Sequence, residues 1–382
     1  MGKAEILFDG TACQQERPGH FHGGGEYAKF ILEHALVEGY RLEIVLYSHF
    51  FNDEKLNVLL SRMPEDAVHY VSSKQDLYNL IDSRGYALFY SALPYGYYDY
   101  RCKTRFAGVI HGLRKVELPW HEDAWRGEKS TLKKFAGRLF PRLMSKLVRR
   151  RTLGQFRHIL DIPKAKIITV SEHSKYSILN FFPDFPEERI EVFYSPFSVD
   201  NFTPSETCGN YFLMLNGERF EKNVYRAVKV FDRLFSNGHL EGKKVVVTGC
   251  GRGDMASMVK NKDRFRFLPY VSSDELVRLH REAFCFVYPS LNEGFGYPPL
   301  MAMACDVPVI ASSSTSIPEV CADASVYFSP ENTDDMANRI LQVAMNENLR
   351  QSLIRRGRER VAELVDRQQA ALSAHLASLF RL

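Results

Sequence analysis

Two sets of short apolar runs, each run followed by a longer amphipathic stretch, organise this chain of 382 residues. The first set is Ile6–Phe8, Ile44–Tyr47, Ala87–Tyr90, Val109–Ile110, Ile167–Val170 and Ile190–Phe193. The second is Tyr211–Leu215, Val245–Val247, Phe265–Leu268, Phe284–Tyr288, Val309–Ala311 and Val326–Phe328. The runs are continuously apolar rather than alternating, so both faces of each strand are expected to be covered. That is the mark of a parallel sheet between helical layers. The pattern predicts an α/β fold with two doubly wound, Rossmann-like domains. Pro196, Pro204, Ser205 and Gly209 interrupt it and set the boundary. An N-terminal domain over 1–200, a second domain over 201–360 and a C-terminal helix over 361–382 are expected, with helical patterning in the tail from about Gln351.

Composition narrows the class. Hydrophobic residues make up 45% and charged residues 25%, which excludes disorder as the starting assumption. A net charge of +4 is too small to argue for nucleic acid. The seven cysteines include no C-x-x-C pair, so neither a disulfide framework nor a zinc site is expected, in keeping with a reducing, cytoplasmic compartment. No apolar run approaches the ~20 residues of a membrane span, and the N-terminus has no secretory signal pattern.

Ligands of doubly wound sheets bind beyond the carboxyl ends of the strands, so chemistry is sought just after each run. Glu293-Gly294-Phe295-Gly296-Tyr297-Pro298-Pro299 follows one strand and opens a helix. Its glycines permit a tight loop, and the helix start suits a diphosphate. Glu293 can accept hydrogen bonds from sugar hydroxyls. In Gly217–Asn223, Arg219 and Lys222 can reach one anionic group, by a guanidinium fork and a mobile ammonium. His22-Gly23-Gly24-Gly25 reads as a loop before a helix over Glu26–Glu38, open enough for close approach to a phosphate. Its spacing is not the dinucleotide G-x-G-x-x-G. His111, ending Val109–Ile110 and followed by Gly112, is placed to face a cleft. Taken singly, each loop has a plain structural explanation: a turn, a solvated ion pair, a flexible linker, a core histidine. Their shared address at strand ends favours function.

These residues resemble the retaining GT-B glycosyltransferases, specifically glycosyltransferase family 4, also described as glycosyl transferases group 1. The likeness rests on Asn216–Asn223, Gly249–Gly251, Tyr270–Leu276, Pro289–Val309 and Ser316–Val320. More loosely it includes Gly23–Gly25, Ile110–Gly112, Thr169–Ser174 and Tyr194–Pro196. It implies two Rossmann-like domains facing a central cleft, with acceptor in the first and nucleotide sugar in the second. Arg219 and Lys222 would neutralise the donor diphosphate. Gly294, Phe295, Gly296, Tyr297 and Leu300 would hold the donor's sugar and phosphates, with Glu293 on the transferred sugar. His111 would face that sugar, and Gly24 or Gly25 would approach the diphosphate. No metal or cofactor is implied, since cations and helix dipoles supply the charge stabilisation. One position departs from the family: the second Glu expected eight residues after Glu293 is Met301.

Between Lys133 and Arg151 stand eight basic residues and no acid. Lys134, Arg138, Arg142, Lys146 and Arg150 recur every four residues beside Phe135, Leu139, Leu143 and Leu147. Such a basic amphipathic helix, split or kinked at Pro141, suits an anionic membrane surface; packing of the apolar stripe on the first domain is the alternative.

The expected activity is retaining, metal-independent hexosyl transfer. The donor would be a nucleoside-diphosphate sugar, GDP-mannose or a UDP-sugar, and the acceptor a hydroxyl of a glycan or lipid-linked molecule, in surface polysaccharide assembly. A catalytically degenerate homologue acting as a binding partner is the alternative raised by Met301. An epimerase of the same fold finds no matching carboxylate and histidine arrangement.

Overall fold

The computed structural model describes residues 5–16, 23–120, 131–198, 202–205, 209–250 and 255–380, without the side chains of 132–134 and 136. Its first sheet contains β1 (Ile6–Asp9), β2 (Leu42–Tyr47), β3 (Val68–Val71), β4 (Leu88–Ser91), β5 (Arg105–Ile110), β6 (Lys166–Thr169) and β7 (Ile190–Val192). The strands lie in the order β3-β2-β1-β4-β5-β6-β7 and pair in parallel. The second sheet contains β8 (Tyr211–Met214), β9 (Lys244–Val247), β10 (Phe265–Phe267), β11 (Cys285–Tyr288), β12 (Val309–Ser312) and β13 (Ser325–Phe328). Its order, β10-β9-β8-β11-β12-β13, is again all parallel.

Every expected run forms a strand. β3 has no counterpart among those runs, because it is an edge strand whose His69 and Tyr70 break the apolar sequence. The central strands are dry on both faces: Leu7, Phe8 and Phe89 in one sheet, Phe212, Leu213 and Phe286 in the other, have no exposed surface. Each such side chain contributes about 1.5–3 kcal/mol on burial. In both sheets strand order reverses beside the first strand, between β1 and β4 and between β8 and β11. The carboxyl ends at those two points are where doubly wound sheets bind ligands.

Contacts divide the chain into two units. One holds residues 1–113, 150–196 and 367–382; the other holds 114–149 and 197–366. Residues 114–149, which the sequence places with the first domain, therefore group with the second. The tail is one helix, Glu347–Phe380, whose last part belongs to the first unit. There His375 stacks on Phe193 at 3.9 Å and bonds the Glu191 carboxylate through Nδ1 at 2.5 Å. Ser378 donates to the same carboxylate at 2.7 Å, and Lys166 pairs with it at 2.6 Å. Phe380 packs its ring on Tyr40 and Tyr90.

The basic stretch forms two helices, Thr131–Leu139 and Pro141–Leu160, broken at Phe140 because Pro141 starts the second. Phe135, Leu139, Phe140, Leu143 and Leu147 are each between 53% and 63% exposed. The apolar stripe is therefore not packed away. Among the described residues no helix is long and apolar enough to cross a membrane.

Candidate functional site

In the second unit, β8 ends in a loop folded tightly on the end of β9. The Gly217 N–H donates to the Thr248 carbonyl at 2.9 Å, and the Glu218 N–H to the Gly249 carbonyl at 2.9 Å. A Cβ on Gly217 would stand 2.6 Å from the Cys250 sulfur and 3.1 Å from Val247, so a larger residue would have to displace these side chains. A 3-10 turn, Phe220–Lys222, then presents the charged residues, and Asn223 in left-handed conformation opens the helix Val224–Ser236. The Asn223 amide donates to the carbonyls of Pro289 at 3.0 Å and Pro330 at 2.8 Å, fixing this turn against the loop after β11.

Arg219 and Lys222 stand on the same short turn, each on its own carboxylate. Arg219 donates to Glu221 Oε1 through Nε at 2.8 Å and Nη2 at 2.5 Å, and 41% of its side chain stays exposed. The Lys222 ammonium pairs with Glu293 Oε1 at 2.6 Å, with only 9% exposed. Ser290 donates to the same Glu293 oxygen at 2.5 Å. Burial alone would raise the pKa of Glu293, but the Lys222 charge, with Ser290 and Tyr288, holds it below its ordinary value. Burial likewise opposes ionisation of Glu221, and the guanidiniums of Arg114 and Arg219 overcome it. Both carboxylates are thus charged, and each holds a cation in place.

The Glu293 backbone is fixed from β12's side: its N–H donates to Thr315 Oγ1 at 2.9 Å, and Ser316 Oγ donates to its carbonyl at 3.1 Å. Gly296, at φ 122°, turns the chain into the helix Tyr297–Ala304, a conformation that side chains other than hydrogen resist. Pro298 and Pro299 occupy the first turn and bring no N–H of their own. Phe295 and Leu300, expected to hold the donor, are instead buried and serve the core. Met301 sits part-buried on this helix with no carboxylate in its place. Asp306 is engaged elsewhere, in a two-point pair with Arg358 at 2.5 Å.

In the first unit the glycine segment differs from the expected loop. Gly23–Gly25 form the first turn of the helix Gly23–Val37, which starts three residues before Glu26; His22 lies outside the described residues. Glycine's entropic penalty is felt in a helix interior and matters less in this terminal turn. Gly24 is also a close approach: a Cβ would stand 2.5 Å from Leu93. His111 follows β5. Its N–H donates to the Tyr95 hydroxyl at 3.0 Å, its Nε2 bonds the Ala92 carbonyl at 2.9 Å, and its ring meets Tyr27 edge-on at 5.2 Å. The carbonyl contact requires the proton on Nε2.

Sequence reasoning overlooked Asp9, at the carboxyl end of β1. It is buried and accepts from Thr11 Oγ1 at 2.5 Å, Ser91 Oγ at 2.6 Å and the Tyr97 hydroxyl at 3.0 Å. Burial pushes its pKa up against those bonds. A carboxylate ending an otherwise apolar first strand, at the reversal of strand order, was the available signal. It ties the end of β1 to the end of β4 through Ser91.

Residues 200–360 match the family described as glycosyl transferases group 1. The O-antigen chain mannosyltransferase RfbU of Salmonella typhimurium is 31% identical over 184 residues, covering 46% of this chain and 50% of the relative. The chain spans about half the length of the curated relatives it matches. Among solved structures, sucrose-phosphate synthase of Thermosynechococcus elongatus superposes with a TM-score of 0.69 at 14% identity, covering 98% of both chains. HepE of Anabaena, solved with UDP-glucose, gives 0.64 at 13% identity, covering 97% of this chain and 99% of its own. At such identities the likeness establishes the fold, which is GT-B.

Proposed function

From the premise that this is a GT-B protein whose residues 200–360 belong to the glycosyl transferases group 1, we propose that it transfers a hexose from a nucleoside-diphosphate sugar to a hydroxyl acceptor. The observation that carries the reading is the placement of Arg219 and Lys222. Both stand on one turn at the carboxyl end of β8, beside Glu293 at the end of β11, at the point where strand order reverses. Departure of a nucleoside diphosphate builds negative charge on the leaving oxygens. A guanidinium and an ammonium already held in position stabilise that charge without reorganising during reaction. These cations supply what a metal would otherwise provide, so the reaction is metal-independent. Glu293, ionised and partly occupied by Lys222, accepts hydrogen bonds from hydroxyls of the transferred sugar. The acceptor attacks from the face that the diphosphate leaves, with retention of configuration.

The relatives point to the substrates. RfbU is an O-antigen chain mannosyltransferase, and HepE was solved with UDP-glucose. The donor is accordingly GDP-mannose or a UDP-sugar, and the acceptor a glycan or lipid-linked molecule of surface polysaccharide assembly. The exposed stripe from Phe135 to Leu147 supports a location on the cytoplasmic face of a membrane. It borders a stretch with eight basic and no acidic residues, each basic side chain worth about 1 kcal/mol near an anionic surface. Arg149 is partly spent within the protein, donating to the Val116 carbonyl at 2.9 Å.

A thermal-shift screen tests the reading: UDP, GDP, ADP, TDP and their sugar conjugates, without added metal. A ligand at 100 times its dissociation constant adds about 2.7 kcal/mol to folding stability. One hit names the donor class and shows that Met301 is compatible with ribose binding. Stability unchanged by every compound refutes the reading and favours the degenerate partner.

A further inference from the structure

The short helix Arg114–Glu117 belongs by its contacts to the second unit, although the rest of that unit's sheet begins almost a hundred residues later. It is tied to both loops of the site. Arg114 Nη1 donates to Glu221 Oε1 at 2.9 Å, the oxygen that also accepts from Arg219. At the other end of the helix, Glu117 accepts from the Asn292 amide at 2.6 Å, one residue before Glu293. Glu221 itself is only 8% exposed, whereas Arg114 is 42% exposed, as open as Arg219.

Charge accounting gives these contacts a direction. Lys222 is matched by Glu293. Among the described residues Glu221 is the carboxylate that pairs with both Arg114 and Arg219, so the two guanidiniums carry one positive charge more than it neutralises. Two like charges drawn to one oxygen repel each other, and a carboxylate this buried cannot be relieved by solvent. Each guanidinium has five N–H donors. Arg114 spends one on Glu221 and Arg219 spends two, and both keep an open side. A group with two adjacent anionic centres neutralises the excess and bridges both forks. A nucleoside diphosphate has that form; a monophosphate offers one centre.

We propose that Arg114 is a third cation of the diphosphate site, positioned by Glu221 together with Arg219. The assignment rests on the donor reading above and names a residue outside the matched segment. Arg114 selects for the second phosphate, while Glu221 acts through the two arginines and does not touch the ligand.

Calorimetric titration of the intact protein with UDP, GDP, ADP and TDP, and with the matching monophosphates, tests this. The unaltered protein binds at least one diphosphate more tightly than its monophosphate. Arg114→Ala lowers diphosphate affinity about tenfold, the scale of losing one charge-assisted hydrogen bond, and leaves monophosphate affinity within about twofold. Arg114→Gln, which keeps a hydrogen bond to Glu221 and so protects the fold, shows the same collapse of the ratio. Arg114→Lys restores part of it, and Lys115→Ala, which removes a neighbouring charge, leaves it intact. A purely structural strut lowers both affinities together or neither. An unchanged ratio in Arg114→Ala and Arg114→Gln, with binding otherwise intact, overturns the role of Arg114 alone. Absence of any nucleotide binding in the unaltered protein overturns the donor reading as well.

Discussion

Replacing Lys222 by Met removes the partner of a carboxylate that has little water to turn to. Lys222 and Glu293 meet at 2.6 Å, with side chains 9% and 14% exposed. At an effective dielectric of about 20, that separation corresponds to an attraction of about 6 kcal/mol, partly offset by desolvation. Protonation caps the loss. Neutralising a carboxyl of ordinary value 4.5 costs about 3.4 kcal/mol at pH 7 and about 1.4 kcal/mol at pH 5.5. In the native protein the folded value lies below 4.5, so the carboxylate stabilises above 4.5 and that contribution is lost as pH falls through the folded value. Without Lys222, burial dominates and the folded value rises above 4.5. The neutral acid then stabilises below 4.5, and that contribution is lost as pH rises through the new folded value. The penalty of Lys222→Met should therefore shrink by about 1.4 kcal/mol for each unit of acidification between pH 7 and 5.5. For a unit of roughly 200 residues this is a melting-temperature deficit of roughly 7–14 °C at pH 7 and 3–6 °C at pH 5.5. Thermal melts of native protein, Lys222→Met and Lys222→Met/Glu293→Gln at both pH values measure it. The double variant should regain much of the loss at pH 7. A deficit independent of pH, or a double variant no more stable than the single one, would refute the claim that Glu293 is a charged, buried group held by Lys222.

Two further outcomes are expected. On vesicles containing anionic phosphatidylglycerol, Leu143→Asp/Leu147→Asp should release the protein to the extent that 1 M salt does, while nucleotide binding stays unchanged; sedimentation with vesicles measures this, and equal sedimentation of variant and native protein would count against the membrane surface. The Glu191–His375 contact should weaken in acid. Despite burial, His375 and Lys166 hold the Glu191 pKa down at about 2, so its stabilisation, present above 4.5, is lost progressively as pH falls from there towards 2. Burial lowers His375, which adds a loss in the same direction as acid protonates it. Amide exchange in residues 367–380 should therefore rise on acidification before exchange in β8–β13 does, and Glu191→Gln should abolish most of that difference.

The central strands were legible because burial on both faces leaves no room for polar residues, and β3 escaped notice because His69 interrupts its apolar run. Arg219, Lys222 and Glu293 were legible as charged residues at strand ends, yet nothing in the sequence pairs Lys222 with Glu293, 71 positions away. Arg114 was invisible for the same reason: its partner Glu221 lies 107 positions on. The glycine segment was misread as a loop because glycine's permissiveness does not exclude a helix's first turn. Periodicity found the stripe from Phe135 to Leu147, but a repeat of four says only which residues share a face, not whether another element covers it.

The return of residues 367–380 to the first unit gives this protein an order of birth. A chain made from its N-terminus emits β1 through β7 long before Phe380 exists. Until then the Tyr90 and Phe193 rings lack the Phe380 and His375 rings that cover them in the finished fold. The second unit, by contrast, ends at Asp366, before the segment that the first unit takes back. Of the two units, the one whose strands come first in the sequence is therefore the later to be completed, and it waits with part of its aromatic surface uncovered, the state in which nascent domains depend on chaperones or aggregate.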